Sequence, residues 1–234
     1  MVSYQLNKTQ SDDRMIEQNV KKILSGIPET NPFGESITVV GATKTRSVQE
    51  INRAITAGIK NVGENRAQEF RDKFPYLLPC NYHFFGRLQT NKVKYLIGKA
   101  YLIQSVDSVK LATEISNQSQ KAGVKTNVLL EVNCGEKQKG GIPFEEVLSH
   151  YKVIKDMPNV VIQGLMAVLP ENDEQIKNSC LQMRELYDII RKTDENFKFL
   201  SMGMSNDYVK AVQFGSNMVR IGTAIFGERN YKER

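Results

Sequence analysis

Ile37–Ser47 reads ITVVGATKTRS, an apolar strand that delivers one lysine to its far end. Side chains alternate along a strand, so Thr38, Val40, Ala42 and Lys44 share one face while Ile37, Val39, Gly41 and Thr43 share the other. Both faces are mostly apolar, as in a parallel strand buried on two sides, and Lys44 stands where scaffold gives way to loop. Two readings are open for it. A strand can end in a solvated lysine, or an amine in a partly dry pocket can lose its proton and become a nucleophile able to form a Schiff base.

Downstream of this strand, Ser47 is placed to cap a helix over Val48–Ala57, with Glu50 as capping-box partner. Upstream, Met15, Ile16, Val20, Ile23 and Leu24 mark an amphipathic helix over about Thr9–Ser25, ended by Gly26 and Pro28. The alternation then repeats. Strands are expected at Lys60–Asn65, Tyr82–Gly86, Tyr101–Val106, Asn127–Asn133, Val160–Val168, Phe199–Met204 and Met218–Thr223. Helices are expected between them at Ala67–Phe74, from Thr90 (as cap) to about Gly98, Ser108–Lys121, Pro143 to about Asp156, Asp173–Lys192 and Asp207–Phe214.

Eight strands alternating with helices in 234 residues indicate a single (β/α)8 TIM barrel with right-handed crossovers, preceded by an extra N-terminal helix. Residues 1–234 are read as one domain, with 1–28 forming the helix that packs on the barrel. A doubly wound open sheet is the alternative. Its usual GxGxxG turn is missing, because GATKTRS has one glycine.

Composition narrows the function. Hydrophobic residues at 40% and charged residues at 25% fit a soluble globular chain, and no apolar run approaches the roughly 20 residues of a membrane helix. The first twenty residues are charged throughout, unlike a secretory signal, so the cytoplasm is the expected location. Cys80, Cys134 and Cys180 are widely spaced and odd in number, which argues for reduced thiols and against a metal site. The net charge of +6 comes from scattered basic residues, with local clusters at Lys21 and Lys22, at Arg87, Lys92 and Lys94, and at Arg229, Lys232 and Arg234. Aromatic residues do not alternate with them, so nucleic acid is a poor fit.

A barrel places function at the C-terminal ends of its strands, with phosphate near the last two loops. Those loops read SMGMSND (201–207) and RIGTAIFGE (220–228). Ser205, Gly222 and Thr223 could surround one phosphate with backbone N–H groups and two hydroxyls; otherwise Ser205 is an ordinary N-cap and Gly222 a turn glycine. Arg220 shares a face with Met218 and Gly222 and points into the barrel, which demands a partner. Glu64 or Glu131 would serve, or a ring nitrogen of a bound heterocycle. Asn65 ends the second strand, where it could reach a ring hydroxyl; His83 either binds or simply packs, and His150 reads as exposed. No Ser-His-Asp order, HExxH or Walker-type loop occurs.

The segments GATKTRS, NVGEN, HFFGRLQTNKVKYL, IQSVDS, LLEVN, GLMAV, SMGMSND and MVRIGTAIFGER together resemble the pyridoxal phosphate homeostasis protein family, barrel-only relatives of alanine racemase. The resemblance runs from about Ile37 to Arg229. It implies pyridoxal 5′-phosphate held as an internal aldimine by Lys44, with its phosphate on Ser205, Gly222 and Thr223. It also implies Arg220 at the pyridine nitrogen and Asn65 near the ring hydroxyl; His83 is grouped with these as a candidate cofactor-binding residue. An arginine there discourages protonation of the ring and weakens it as an electron sink. The racemases add a second base from a C-terminal β-domain, for which a chain ending at Arg234 leaves no room.

The implied function is therefore vitamin B6 homeostasis: binding, storage and delivery of the cofactor in the cytoplasm by a monomer, with apo forms of cofactor-dependent enzymes as partners. No catalytic residue, metal, nucleic acid or membrane is implied. A monomeric fold-type III racemase-like enzyme is the alternative, followed by a cofactor-free Schiff-base aldolase. Gly41 and Thr43 depart from the more usual Ala and Ser, and CGEKQKGG (134–141) is a variant of a polar family loop. Lys137 and Lys139 in that loop are candidate secondary acceptors during cofactor release.

Overall fold

Every strand with alternating or continuous apolar character joins one parallel sheet that closes on itself. The structure is a computed structural model describing residues 2–135 and 140–228, with side chains from residue 14. Lys137, Lys139, Arg229, Lys232 and Arg234 lie outside the described residues.

In chain order the elements are α1 (Val2–Gly26), β1 (Thr38–Ala42), α2 (Val48–Thr56), β2 (Asn61–Glu64), α3 (Ala67–Lys73), β3 (Asn81–Phe84), β4 (Leu102–Val106), α4 (Val109–Ala122) and β5 (Thr126–Asn133). They continue with β6 (Ile142–Pro143), α5 (Val147–Lys155), β7 (Val160–Ala167), α6 (Asp173–Arg191), β8 (Phe199–Met204), α7 (Tyr208–Gln213), β9 (Met218–Ile221) and α8 (Thr223–Phe226). The pairing β4-β3-β2-β1-β9-β8-β7-β5, completed by β4 against β5, makes an eight-stranded parallel barrel, with the two-residue β6 as an appendage on β5. This is the TIM barrel expected from the alternation, with α1 as its additional helix.

Alternation sorts the core into two layers. Val40, Leu102, Leu129, Met166 and Met218 fill the barrel interior, with Phe85, Val168 and Phe199 against them. The opposite strand faces, including Val62, Phe84, Val219 and Ile221, pack beneath the helices in one continuous cluster. α1 joins that outer cluster through Ile16, Val20, Ile23 and Ile27. It also fixes the last helix, since Asn19 Nδ2 donates to Ile225 O at 3.1 Å.

Several boundaries differ from expectation. The segment after β3 is a short 3₁₀ turn over Thr90–Tyr95, with Gln89 rather than Thr90 as its N-cap, so the basic run does not build an α-helix. The cap of α7 is Asp207. The expected eighth strand stops at Ile221, and Thr223 begins α8. Pro143 opens a 3₁₀ turn before α5. By contrast, Ser47 and Glu50 form the full capping box, with Ser47 N–H donating to Glu50 Oε2 at 2.7 Å. Burial pushes the Cys80 thiol up to about 11 and Cys180 up to about 12, so both are protonated near neutrality. No helix among the described residues is long and apolar enough to cross a membrane.

Candidate cofactor site at the barrel mouth

Strand register brings the sequence candidates to one end of the barrel. Val40 lies opposite Arg220 on β9 and Ala42 opposite Gly63 on β2. Two residues beyond that pair, Lys44 and Asn65 lie just past the ends of β1 and β2. On the other side a Cβ added to Gly222 would meet Ala42 Cβ at 3.4 Å, so Gly222 borders the same rim. Met204 pairs with Arg220, which puts Ser205 at the end of the next strand.

The turn carrying Lys44 is held on both sides. Lys44 is half-buried, and Thr45 takes the left-handed φ of 67°, uncommon for a β-branched residue. Thr45 N–H donates to Glu69 Oε2 at 3.1 Å, and Lys73 Nζ donates to Thr43 O at 3.2 Å. Lys73 also pairs with Glu64 and Glu69, at 2.5 and 2.9 Å. Burial raises the Glu64 pKa although Lys73 and Thr43 oppose it. For Glu69 burial acts the same way, but the Lys73 bond and the Thr45 N–H outweigh it and its pKa is lowered. Arg46 ties the far end of the turn to α8, its Nη2 donating to Gly227 O at 2.5 Å.

At the end of the neighbouring strand β9, the amides of Gly222 and Ala224 converge on Ser205 Oγ, at 3.2 and 3.5 Å. Amides aimed at one point are what an anion needs, and Ser205 adds a hydroxyl there. Ser205 is therefore not the N-cap of α7. Thr223 is exposed beside it at the start of α8.

Arg220 is 4% exposed. Its Nη1 donates to Ser201 O at 3.0 Å and Ser201 Oγ at 2.7 Å, and its Nη2 to Ala167 O at 2.9 Å. Burial pulls its pKa down to about 10, and the nearby carboxylates of Glu131 and Asp207 resist this. Of the two carboxylates considered as partners, Glu64 is on the outward face of β2, bonded to Lys73 and Thr43 beside the Lys44 turn rather than to Arg220. Glu131 acts on Arg220 electrostatically. Its own pKa is pushed up to about 7 by burial and by Asp107, against Arg220 and Arg87.

Asn65 carries an orphan: its buried Oδ1 has no hydrogen-bond partner among the described residues. Such a group costs about 1–3 kcal/mol unless a ligand or water satisfies it. Its backbone is fixed by close approach, because a Cβ on Gly86 would lie 2.0 Å from Asn65 O. His83 is open, on sequence, between binding the cofactor and packing in the barrel. It is fully buried inside the barrel, with Nδ1 3.0 Å from Gln104 Nε2 and Nε2 3.3 Å from Asn61 Oδ1, so both ring nitrogens already have protein partners. Burial pulls its pKa down to about 3, and the ring is neutral.

The residues that sequence reading left out are Lys73, Glu69, Ser201 and Gln104. Lys73 and Glu69 sit at i and i+4 on α3, an ordinary exposed-helix pattern with nothing to mark it as a clamp. Taken together, the mouth offers an amine, an anion cradle, a buried cation and an unsatisfied acceptor. These suit a flat, phosphorylated heteroaromatic aldehyde.

Comparison with known proteins agrees. The sequence model of the alanine racemase N-terminal domain family matches residues 13–230. A pyridoxal phosphate homeostasis protein of Aquifex aeolicus is 43% identical over 199 residues, covering 82% of this chain and 87% of that protein. One from Pasteurella multocida is 34% identical over 231 residues, covering 93% and 99%. The structure of PipY from Synechococcus elongatus with PLP bound superposes with a TM-score of 0.80 at 26% identity, covering 91% of this chain and all of that one.

Proposed function

We propose that this chain, which belongs to the alanine racemase N-terminal domain family and within it to the pyridoxal phosphate homeostasis proteins, binds pyridoxal 5′-phosphate covalently through Lys44. It holds, stores and hands over the cofactor without turning over an amino-acid substrate. The PLP-bound PipY structure supports the ligand, and the homeostasis names of the relatives support the role.

The observation that carries the reading is the convergence of the Gly222 and Ala224 amides on Ser205 Oγ, at the end of the strand that neighbours the one leading to Lys44. Ser205, Gly222 and Thr223 bind the phosphate. Asn65 Oδ1 accepts from the ring hydroxyl, which removes its orphan status. Lys44 Nζ is the attachment point, oriented by the Lys73 and Glu69 clamp on its flanking peptides. When bound, the cofactor supplies an aldehyde that an amine can capture and a ring that withdraws electrons best when its nitrogen is protonated. Arg220, a buried donor, disfavours that protonation, and this fits a carrier better than an enzyme. The partners are apo forms of cofactor-dependent enzymes, and the protein works in the cytoplasm as a monomer.

One observation favours racemase-like turnover: Glu131, raised to about 7 beside Arg220, is poised for proton transfer. A single experiment separates the two readings. Loaded, dialysed protein is mixed with an apoenzyme, and in parallel with α-deuterated amino acids. Recovery of apoenzyme activity without deuterium loss is expected; Lys44-dependent deuterium loss across several amino acids would replace the carrier reading with the enzymatic one.

A further inference from the structure

The barrel interior is apolar around Val40, Leu102, Leu129, Met166 and Met218, yet a line of polar side chains crosses it. Arg220 Nη1 donates to Ser201 Oγ at 2.7 Å, and Ser201 Oγ donates to Gln104 Oε1 at 2.7 Å. Gln104 Nε2 reaches His83 Nδ1 at 3.0 Å, and His83 Nε2 reaches Asn61 Oδ1 at 3.3 Å, which also accepts from Asn81 Nδ2 at 2.9 Å. Ser201, Gln104 and His83 are all fully buried.

Chemistry fixes the direction of this line. A guanidinium only donates, so Ser201 Oγ must accept from Arg220 and can spend its one proton on Gln104 Oε1. The Gln104 amide nitrogen can then only donate, which forces His83 Nδ1 to be the bare nitrogen and Nε2 to carry the proton. Asn61 Oδ1 ends the line by accepting twice. Burial that pulls His83 to about 3 agrees with a ring that stays neutral.

The line also anchors Arg220. Its three bonds use both hydrogens of Nη1 and one of Nη2, leaving Nε–H and the second Nη2–H as the donors it can present. A buried network of this kind is strong only when every member is satisfied, so a break at any link loosens the guanidinium.

We propose that Ser201, Gln104 and His83 are positioning residues: a one-way hydrogen-bond relay through the barrel that locks Arg220 as a donor facing the bound ring. This rests on the reading of Arg220 as the partner of the cofactor's ring nitrogen, and it assigns the three residues a role without contact to the ligand.

Long-range proton–nitrogen NMR on the nitrogen-15-labelled, cofactor-free protein tests the relay itself. The chain has two histidines, so His150→Gln leaves the His83 signal alone. A single Nε2–H tautomer at neutral pH is expected; an Nδ1–H tautomer would overturn the relay, whatever the cofactor does. Gln104→Leu should release this preference and slow-rotation signals of the Arg220 guanidinium should vanish. Retention of pyridoxal phosphate, followed by equilibrium dialysis, should weaken about tenfold in Gln104→Leu and Ser201→Ala, as loss of one buried hydrogen bond implies. Ser201→Thr, which keeps the hydroxyl, should restore it. Unchanged retention in both disruptive variants, with the tautomer as expected, would disprove the positioning role. A protein that takes up no pyridoxal phosphate at all would instead refute the cofactor reading while the tautomer still reports on the relay.

Discussion

The Lys73 ammonium lies 3.2 Å from the carbonyl oxygen of Thr43, the residue immediately before Lys44. Through Glu69 the same ammonium is linked to Thr45 N–H, the peptide immediately after it. A lysine on α3 thus brackets the lysine at the barrel mouth, and the left-handed Thr45 is sustained by that bracket.

Replacing Lys73 by Met leaves Glu64 buried without its counter-charge. Breaking a buried pair from one side costs about 3–5 kcal/mol, and the raised pKa of Glu64 places this protein toward the lower end because the carboxyl can protonate. Urea unfolding at neutral pH should show Lys73→Met destabilised by about 3 kcal/mol, with Glu64→Gln in the same chain recovering most of it. A loss below about 1 kcal/mol would show that the pair is not holding the turn.

Glu131 gives a pH signature. Its folded pKa of about 7 lies above the ordinary carboxylate value, so the folded state binds this proton more tightly than the unfolded chain does. Its contribution is fully present below the unfolded pKa of about 4.3 and is lost as pH rises through about 7. Glu131→Gln removes that penalty. Relative to the parent, the variant should gain on the order of 2 kcal/mol between pH 5 and pH 8 in denaturant unfolding. A pH-independent difference would mean that Glu131 is not held out of water.

Much of this site could be read from the chain before any coordinates. Period-two alternation correctly put Met218 and Arg220 on the inner face of their strand and Val219 on the outer. The Ser47 and Glu50 capping box is a local signal, and it is present in full. What failed was local pattern overridden by packing: the basic segment Thr90–Tyr95, expected as an α-helix, is a 3₁₀ turn lodged between α3 and α4. What stayed invisible was pairing over long sequence separation. Nothing in SMGMS announces that Ser201 will meet Gln104, 97 residues earlier.

Ser205→Ala should leave the fold intact, since Ser205 lies at the rim, and should weaken cofactor retention by roughly tenfold through loss of one phosphate hydrogen bond. Phosphorus-31 NMR of the loaded protein should show the bound phosphate signal shift toward that of free cofactor. An unchanged signal and unchanged retention would place the phosphate elsewhere.

Borohydride reduction of the cofactor-loaded protein, followed by peptide mass mapping beside Lys44→Ala, tests the central claim most directly. The account predicts one reduced pyridoxyl adduct, on the peptide containing Lys44, and its absence from the variant. An adduct mapping to another lysine, or persisting at full yield in Lys44→Ala, would contradict it.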